Sequence, residues 1–213
     1  EFNDYAIDNP EGGMPYAMPN LSRDEYTTLV HWIAQGSPVK DDLPPSKEIT
    51  KQIDQWETFL NGNSRKEKLF SRYIYEHLFH AHIHFKNSDQ REFYRLVRST
   101  TPPGDKVNII PTRRPYNDPD GDVFYRIVQH KSSIVAKTHN VYELSSQRMQ
   151  RYKELFFYTD YEINELPSYQ QEVASNPIKA FADIPVKSRY KFLLDDARFF
   201  IEGFIKGPVC RGQ

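Results

Sequence analysis

Four of the seven histidines fall together, as His77, His80, His82 and His84. Read as one helix at about 100° per residue, His77, His80 and His84 share a narrow arc, with Glu76 at its edge. His80 and His84 stand four apart, the spacing at which two imidazoles on one helix face can share a metal ion. No cysteine or aspartate cluster nearby supplies a third and fourth ligand. Hydrogen-bonded core or edge histidines are the other reading, and a catalytic or cofactor-facing role is the third.

A second set of chemically capable residues is the pair Met14-Pro15 and Met18-Pro19, just ahead of a run containing Leu29, Trp32 and Ile33. Small c-type cytochromes end in this way, with a Met-Pro loop giving an axial sulfur and a closing helix packed on the haem edge. Thioether sulfur is a soft ligand that raises the potential of haem iron. Packing of both methionines in a turn is the alternative. Arg113 and Arg114, between Pro111 and Pro115, could grip a propionate or a phospholipid headgroup in bidentate fashion, or be solvated surface. Lys137-Thr138-His139 could orient a substrate or simply end a strand. Cys210 follows a Gly-Pro stop, where apolar packing is the expected role.

These residues need elements to position them. Ser22 and Glu25, then Ser64 and Glu67, match the capping-box pattern that starts a helix. The first predicts a helix ending at Gly36; the second predicts one running to about Phe85. A further helix is expected over about 46–60. Phe93–Arg98, Val123–Val128 and Ile134–Lys137 read as short strands. Helix returns at about 145–157, and a last helix runs from near Pro185 to Lys206. On that last helix Tyr190, Leu193, Leu194, Ala197, Phe200, Ile201 and Phe204 form an apolar stripe expected to face the core. Asp195, Asp196, Arg198 and Glu202 are assigned to the outer side. The fold class is α+β, predominantly helical with a few short strands. Three parts are expected: residues 1–36, a Pro-rich linker at 37–45, and a helix-rich domain at 46–213.

Composition narrows the class. The chain has 213 residues, 38% hydrophobic and 27% charged, and no run of about 20 apolar residues, so no helix in it is long and apolar enough to span a bilayer. Its net charge of -1 lacks the basic excess of a nucleic-acid binder. Tyr and Phe number 14 each, enough to build a core and to line an apolar ligand site. The single cysteine excludes an internal disulfide and the C-x-x-C-H haem attachment motif within these residues.

Several blocks resemble the bacterial fatty acid cis/trans isomerases, in order along nearly the whole chain. They are Gly13-Met14-Pro15-Tyr16, Trp56-Glu57 with Phe59-Leu60-Asn61-Gly62, Ser71-Arg72-Tyr73 through Phe79 with Ala81-His82, and Thr112-Arg113-Arg114-Pro115-Tyr116. Ala136-Lys137-Thr138-His139, Leu166-Pro167-Ser168-Tyr169, Ala174-Ser175-Asn176-Pro177 and the closing Gly203 to Gln213 segment complete the series. The resemblance implies a periplasmic enzyme that converts cis double bonds of unsaturated fatty acid or phospholipid acyl chains to trans, with peripheral membrane contact and no nucleic acid partner. It implies haem c, with signal peptide and attachment cysteines before residue 1 and more protein after Gln213. Residues 1–36 then resemble the tail of a cytochrome c-like domain. Met14 or Met18 becomes the iron's axial ligand, and Arg113 and Arg114 become candidates for holding the haem. His77, Tyr73 and His139 become the catalytic candidates. His77 and His82 fall inside the family pattern while His80 and His84 do not, which weakens the metal reading. A non-catalytic periplasmic domain binding lipid or a partner is the rival.

Overall fold

A computed structural model describes residues 2–10, 12, 21–38, 44–88, 92–130 and 140–206. The chain divides between Leu43 and Pro44 into two compact units. In the first, α1 (Phe2–Asp8) precedes α2 (Arg23–Ala34). The Ser22 box forms, with the Ser22 amide donating to Glu25 at 2.8 Å and the Glu25 amide to Ser22 Oγ at 3.3 Å. None of the residues of α2 is buried, so its apolar side chains stand exposed.

The second unit contains α3 (Lys47–Leu60), α4 (Arg65–His77), β1 (Ala81–Phe85), β2 (Tyr94–Ser99), β3 (Phe124–Gln129), β4 (Asn140–Leu144), α5 (Ser146–Phe156), α6 (Gln171–Ala174), α7 (Pro177–Ala180) and α8 (Val186–Lys206). The four strands make one mixed sheet in the order β3-β2-β1-β4, antiparallel except for the β1–β4 pair. Ile83 pairs with Tyr94 on one side and Tyr142 on the other. This is the α+β class, with helices dominant.

The helix starting at Ser64 stops at His77, eight residues before the expected end. Leu78 caps it, a short turn follows, and Ala81–Phe85 is strand. Ala81, Ile83 and Phe85 are buried while His82 and His84 are half-buried, the alternation of a strand and not the arc of a helix. His80 lies exposed in the turn and His84 on β1, so the helical arc of three histidines does not exist and the His80–His84 metal pair falls with it.

Edge strand β3 owes its pairing to α3. Asn61 Nδ2 donates to the Tyr125 carbonyl at 2.8 Å and its Oδ1 accepts the Tyr125 amide at 2.9 Å. One turn earlier, Glu57 accepts the Ile127 amide at 2.7 Å and Arg126 Nε at 2.8 Å. Two side chains four residues apart thereby replace a missing strand and leave no open edge at that point. Gly62 follows because a Cβ there would collide with the carboxylate that Glu67 folds back onto Ser64.

The core is aromatic. Phe70 packs on Phe156 at 5.1 Å between ring centroids, and Tyr73 on Phe181 and Phe192 at 4.9 and 5.3 Å. Helix α8 reaches this core by the opposite face from the one its apolar stripe predicts. Ser188, Phe192 and Asp196 are buried, whereas Tyr190, Leu193 and Leu194 are 64%, 47% and 54% exposed. The aromatic anchor Phe192 and the bonds made by Asp196 set the rotation of the helix and outweigh the wider stripe.

Candidate active site

Helix α4 presents Tyr73, Glu76 and His77 at i, i+3 and i+4, so all three share a face. That face lines a cavity of about 530 Å³, closed on its other sides by Tyr116, Phe181 and Leu193 among others. The volume lies within the usual range of ligand pockets, about 300–1,000 Å³. Its wall is mainly aromatic and aliphatic, with Arg189, Glu76 and His77 as the ionisable groups.

His77 is held by a residue far along the chain. Its Nε2 lies 2.7 Å from Asp196 Oδ2. The same carboxylate accepts Arg148 Nη1 at 2.9 Å and the Tyr142 hydroxyl at 2.9 Å. A carboxylate accepts, so the His77 Nε2 that faces it carries a proton. The Tyr142 hydroxyl spends its hydrogen on Asp196, so Tyr152, 2.6 Å away, donates to it. Asp196 is 2% exposed, and with Phe192 and Arg148 it lines a separate cavity of about 470 Å³. The Asp196–His77 bond therefore joins one cavity wall to the other.

Burial and charge tune the neighbouring phenols. Desolvation pushes the Tyr73 hydroxyl up to about 12; the Arg189 charge opposes this and that of Asp196 adds to it. Tyr73 thus remains a neutral phenol at neutral pH, a hydrogen-bond donor and not a base. Tyr142 is raised well above the usual tyrosine range, first by burial and then by Tyr152 and Asp196. Burial also raises Glu76, while Arg72, whose Nε donates to it at 2.8 Å, pulls the other way.

Of the residues singled out from sequence, Tyr73 and His77 are brought together in this cavity. Arg113 and Arg114 are exposed on the β2–β3 connection, and their neighbours Pro115 and Tyr116 line the cavity instead. Met14, Met18, His139 and Cys210 lie outside the described residues. Sequence reasoning missed Asp196, assigned to the outer side of α8, and its partners Arg148 and Tyr142. Asp196 stands four residues after Phe192 and eight after Ser188, a small buried face that the larger stripe concealed.

A mainly apolar, partly aromatic cavity with few polar groups has the make-up of an apolar-ligand site. Three of the segments that carry the sequence resemblance line that cavity, supplying Tyr73, His77, Tyr116 and Pro177. The chain belongs to the fatty acid cis/trans isomerases, a family of enzymes: the family's model matches residues 1–213. No match is found among curated proteins or solved structures.

Proposed function

We propose that the protein turns cis double bonds of membrane-lipid acyl chains to trans in the periplasm, and that the 530 Å³ cavity beside Tyr73 and His77 receives the acyl chain. The observation that carries this reading is the cavity itself, apolar in wall and bordered by the exposed side chains Ile178 and Leu193. The trans alkene is the more stable isomer, so no consumed cofactor is needed; the barrier is the loss of π bonding during rotation. The protein must bury the chain, fix the segment holding the double bond and keep water away. Burial contributes about 0.8 kcal/mol per methylene. Tyr73 and His77, with Glu76 and Arg189, provide the polar groups in a mainly apolar wall, and Asp196 holds His77 in one orientation.

The expected iron ligands, Met14 or Met18, lie outside the described residues, and His77, inside the cavity, commits Nε2 to Asp196. The haem c implied by the resemblance, with Met14 or Met18 as axial ligand and Arg113 and Arg114 at its propionates, enters the proposal as a group held outside this cavity. No step is assigned to it here.

The outer face of α8 supports membrane contact. Val186, Tyr190, Leu193, Leu194 and Ala197 recur at helical spacing and are all exposed, next to exposed Ile178 at the cavity. Lys187 and Lys191 flank that stripe, the pattern of a helix lying on an anionic lipid surface. Among the described residues no helix is long and apolar enough to cross a membrane. The test is gas chromatography of acyl chains after incubation of the full-length protein with cis-unsaturated phospholipid or free fatty acid. Trans product without ATP or NAD(P)H supports the reading; none from the mature protein leaves the non-catalytic lipid-binding domain.

A further inference from the structure

On the side of α4 that carries Lys68, Ser71 and Arg72 lies another cavity, of about 340 Å³. These three residues stand at i, i+3 and i+4, so they share one helix face. Asn61, Asn63 and Tyr169 line the cavity with them, and Asp122 adds one exposed carboxylate.

The charge beneath this cavity does not balance. Arg72 and Arg98 are 5% and 2% exposed and lie over the Tyr169 ring, at 3.9 and 6.0 Å from its centroid. Arg72 Nε pairs with Glu76 at 2.8 Å. Arg98 donates to neutral acceptors, the Asn117 carbonyl at 2.8 Å and Thr112 Oγ1 at 3.2 Å. Among the described residues the two guanidinium groups thus share one ion-paired carboxylate, and a buried positive charge is left over. Burying a charge without a counter-ion is expensive.

Hydrogen bonding is short at the same place. Arg72 Nη1 is satisfied by the Pro167 carbonyl at 2.7 Å, but Arg72 Nη2 and Ser71 Oγ are buried with no partner. A serine inside a helix ordinarily bonds back to the carbonyl four residues earlier, and this one does not. Two orphaned donors on adjacent residues that line one cavity, with the surplus charge of Arg98 near the Tyr169 ring that also lines it, point to one kind of ligand.

We propose that this cavity binds an oxyanion, a carboxylate or a phosphate, through Arg72 Nη2, Ser71 Oγ and Lys68. A planar guanidinium with one nitrogen unbound, a hydroxyl and an ammonium are the donors such groups take. The site is distinct from the acyl cavity, which α4 lines with Tyr73 and His77. Glu76 connects them: it lines the acyl cavity and holds Arg72. The inference does not rest on the isomerase reading, since anion binding is measured without turnover.

The experiment is titration of the full-length protein with inorganic phosphate and, separately, with acetate, at constant ionic strength and followed by calorimetry and thermal melting. Saturable binding of either anion is expected. Phosphate alone identifies a phosphate-type ligand, acetate alone a carboxylate; binding of both assigns a general oxyanion site. Ser71→Ala separates binding from folding, because its hydroxyl has no partner to lose. The variant should melt at or above the wild-type temperature without ligand, yet bind the anion at least fivefold more weakly. Lys68→Ala should weaken binding similarly. Absence of saturable binding of either anion overturns the proposal. So does a lowered melting temperature of ligand-free Ser71→Ala, or wild-type affinity in both variants.

Discussion

Asp196 Oδ2 lies 2.7 Å from His77 Nε2 across 119 residues of sequence, and this bond fastens α8 to the end of α4 beside the 530 Å³ cavity. Arg148 and Tyr142 complete the coordination of that carboxylate from α5 and β4. Replacing Asp196 by Ala removes the buried acceptor that His77, Arg148 and Tyr142 share. The expected cost is about 3–5 kcal/mol, read as a lowered urea midpoint with an unchanged slope. Asp196→Asn should cost less, since an amide oxygen can still accept one of these bonds.

Asn61→Ala should destabilise by about 2–4 kcal/mol, because both the amide and the carbonyl of Tyr125 lose their partner at about 1–3 kcal/mol each, reduced by partial solvation. Asn61→Asp should recover only the bond in which Tyr125 donates. Chemical denaturation of the three proteins distinguishes these outcomes.

The pH dependence of folding has a definite sign at His84. Burial lowers its pKa from 6.5, with Glu143 opposing the shift and Arg148 reinforcing it. Its folded state prefers the neutral ring, so the stability it contributes is full above about pH 6.5 and is lost as pH falls through the lower folded value. His84→Gln should therefore reduce the fall in melting temperature between pH 7 and pH 5. An unchanged slope in that variant would assign the acid sensitivity to other groups.

At the proposed lipid surface, Tyr190→Glu combined with Leu194→Glu, two exposed side chains outside the cavity lining, should reduce isomerisation of phospholipid in anionic vesicles by about tenfold, the loss of about 1.4 kcal/mol of lipid contact. Turnover of dispersed free fatty acid should change much less. Equal loss on both substrates would place these side chains in the folded architecture of the acyl site.

Much of the fold is legible where its cause is local. Ser22 with Glu25 and Ser64 with Glu67 start their helices as the capping pattern predicts, since both partners lie within one turn. The end of α4 is not legible, because Ile74, Leu78, Ala81 and Phe85 continue a helical spacing while Ala81, Ile83 and Phe85 also alternate as a strand. Pairing with Tyr94 and Tyr142 decides between them, and those partners are distant in sequence. Tyr73 and His77 could be found from their shared face on α4. Asp196 could not, because its burial depends on Arg148, Tyr142 and His77, and a hydrophobic stripe points α8 the other way.

The central claim is that the cavity beside Tyr73 and His77 holds the acyl chain. Leu193 lines it and is half exposed, so Leu193→Trp can fill the space without disrupting the core. The decisive measurement is KM for a cis-unsaturated free fatty acid, from trans product quantified by gas chromatography, in wild type, Leu193→Trp and the surface control Lys51→Trp, on exposed α3 surface away from the cavity. The account predicts a KM raised at least tenfold in Leu193→Trp and unchanged in the control. Wild-type kinetics in Leu193→Trp would contradict it and move the acyl site elsewhere.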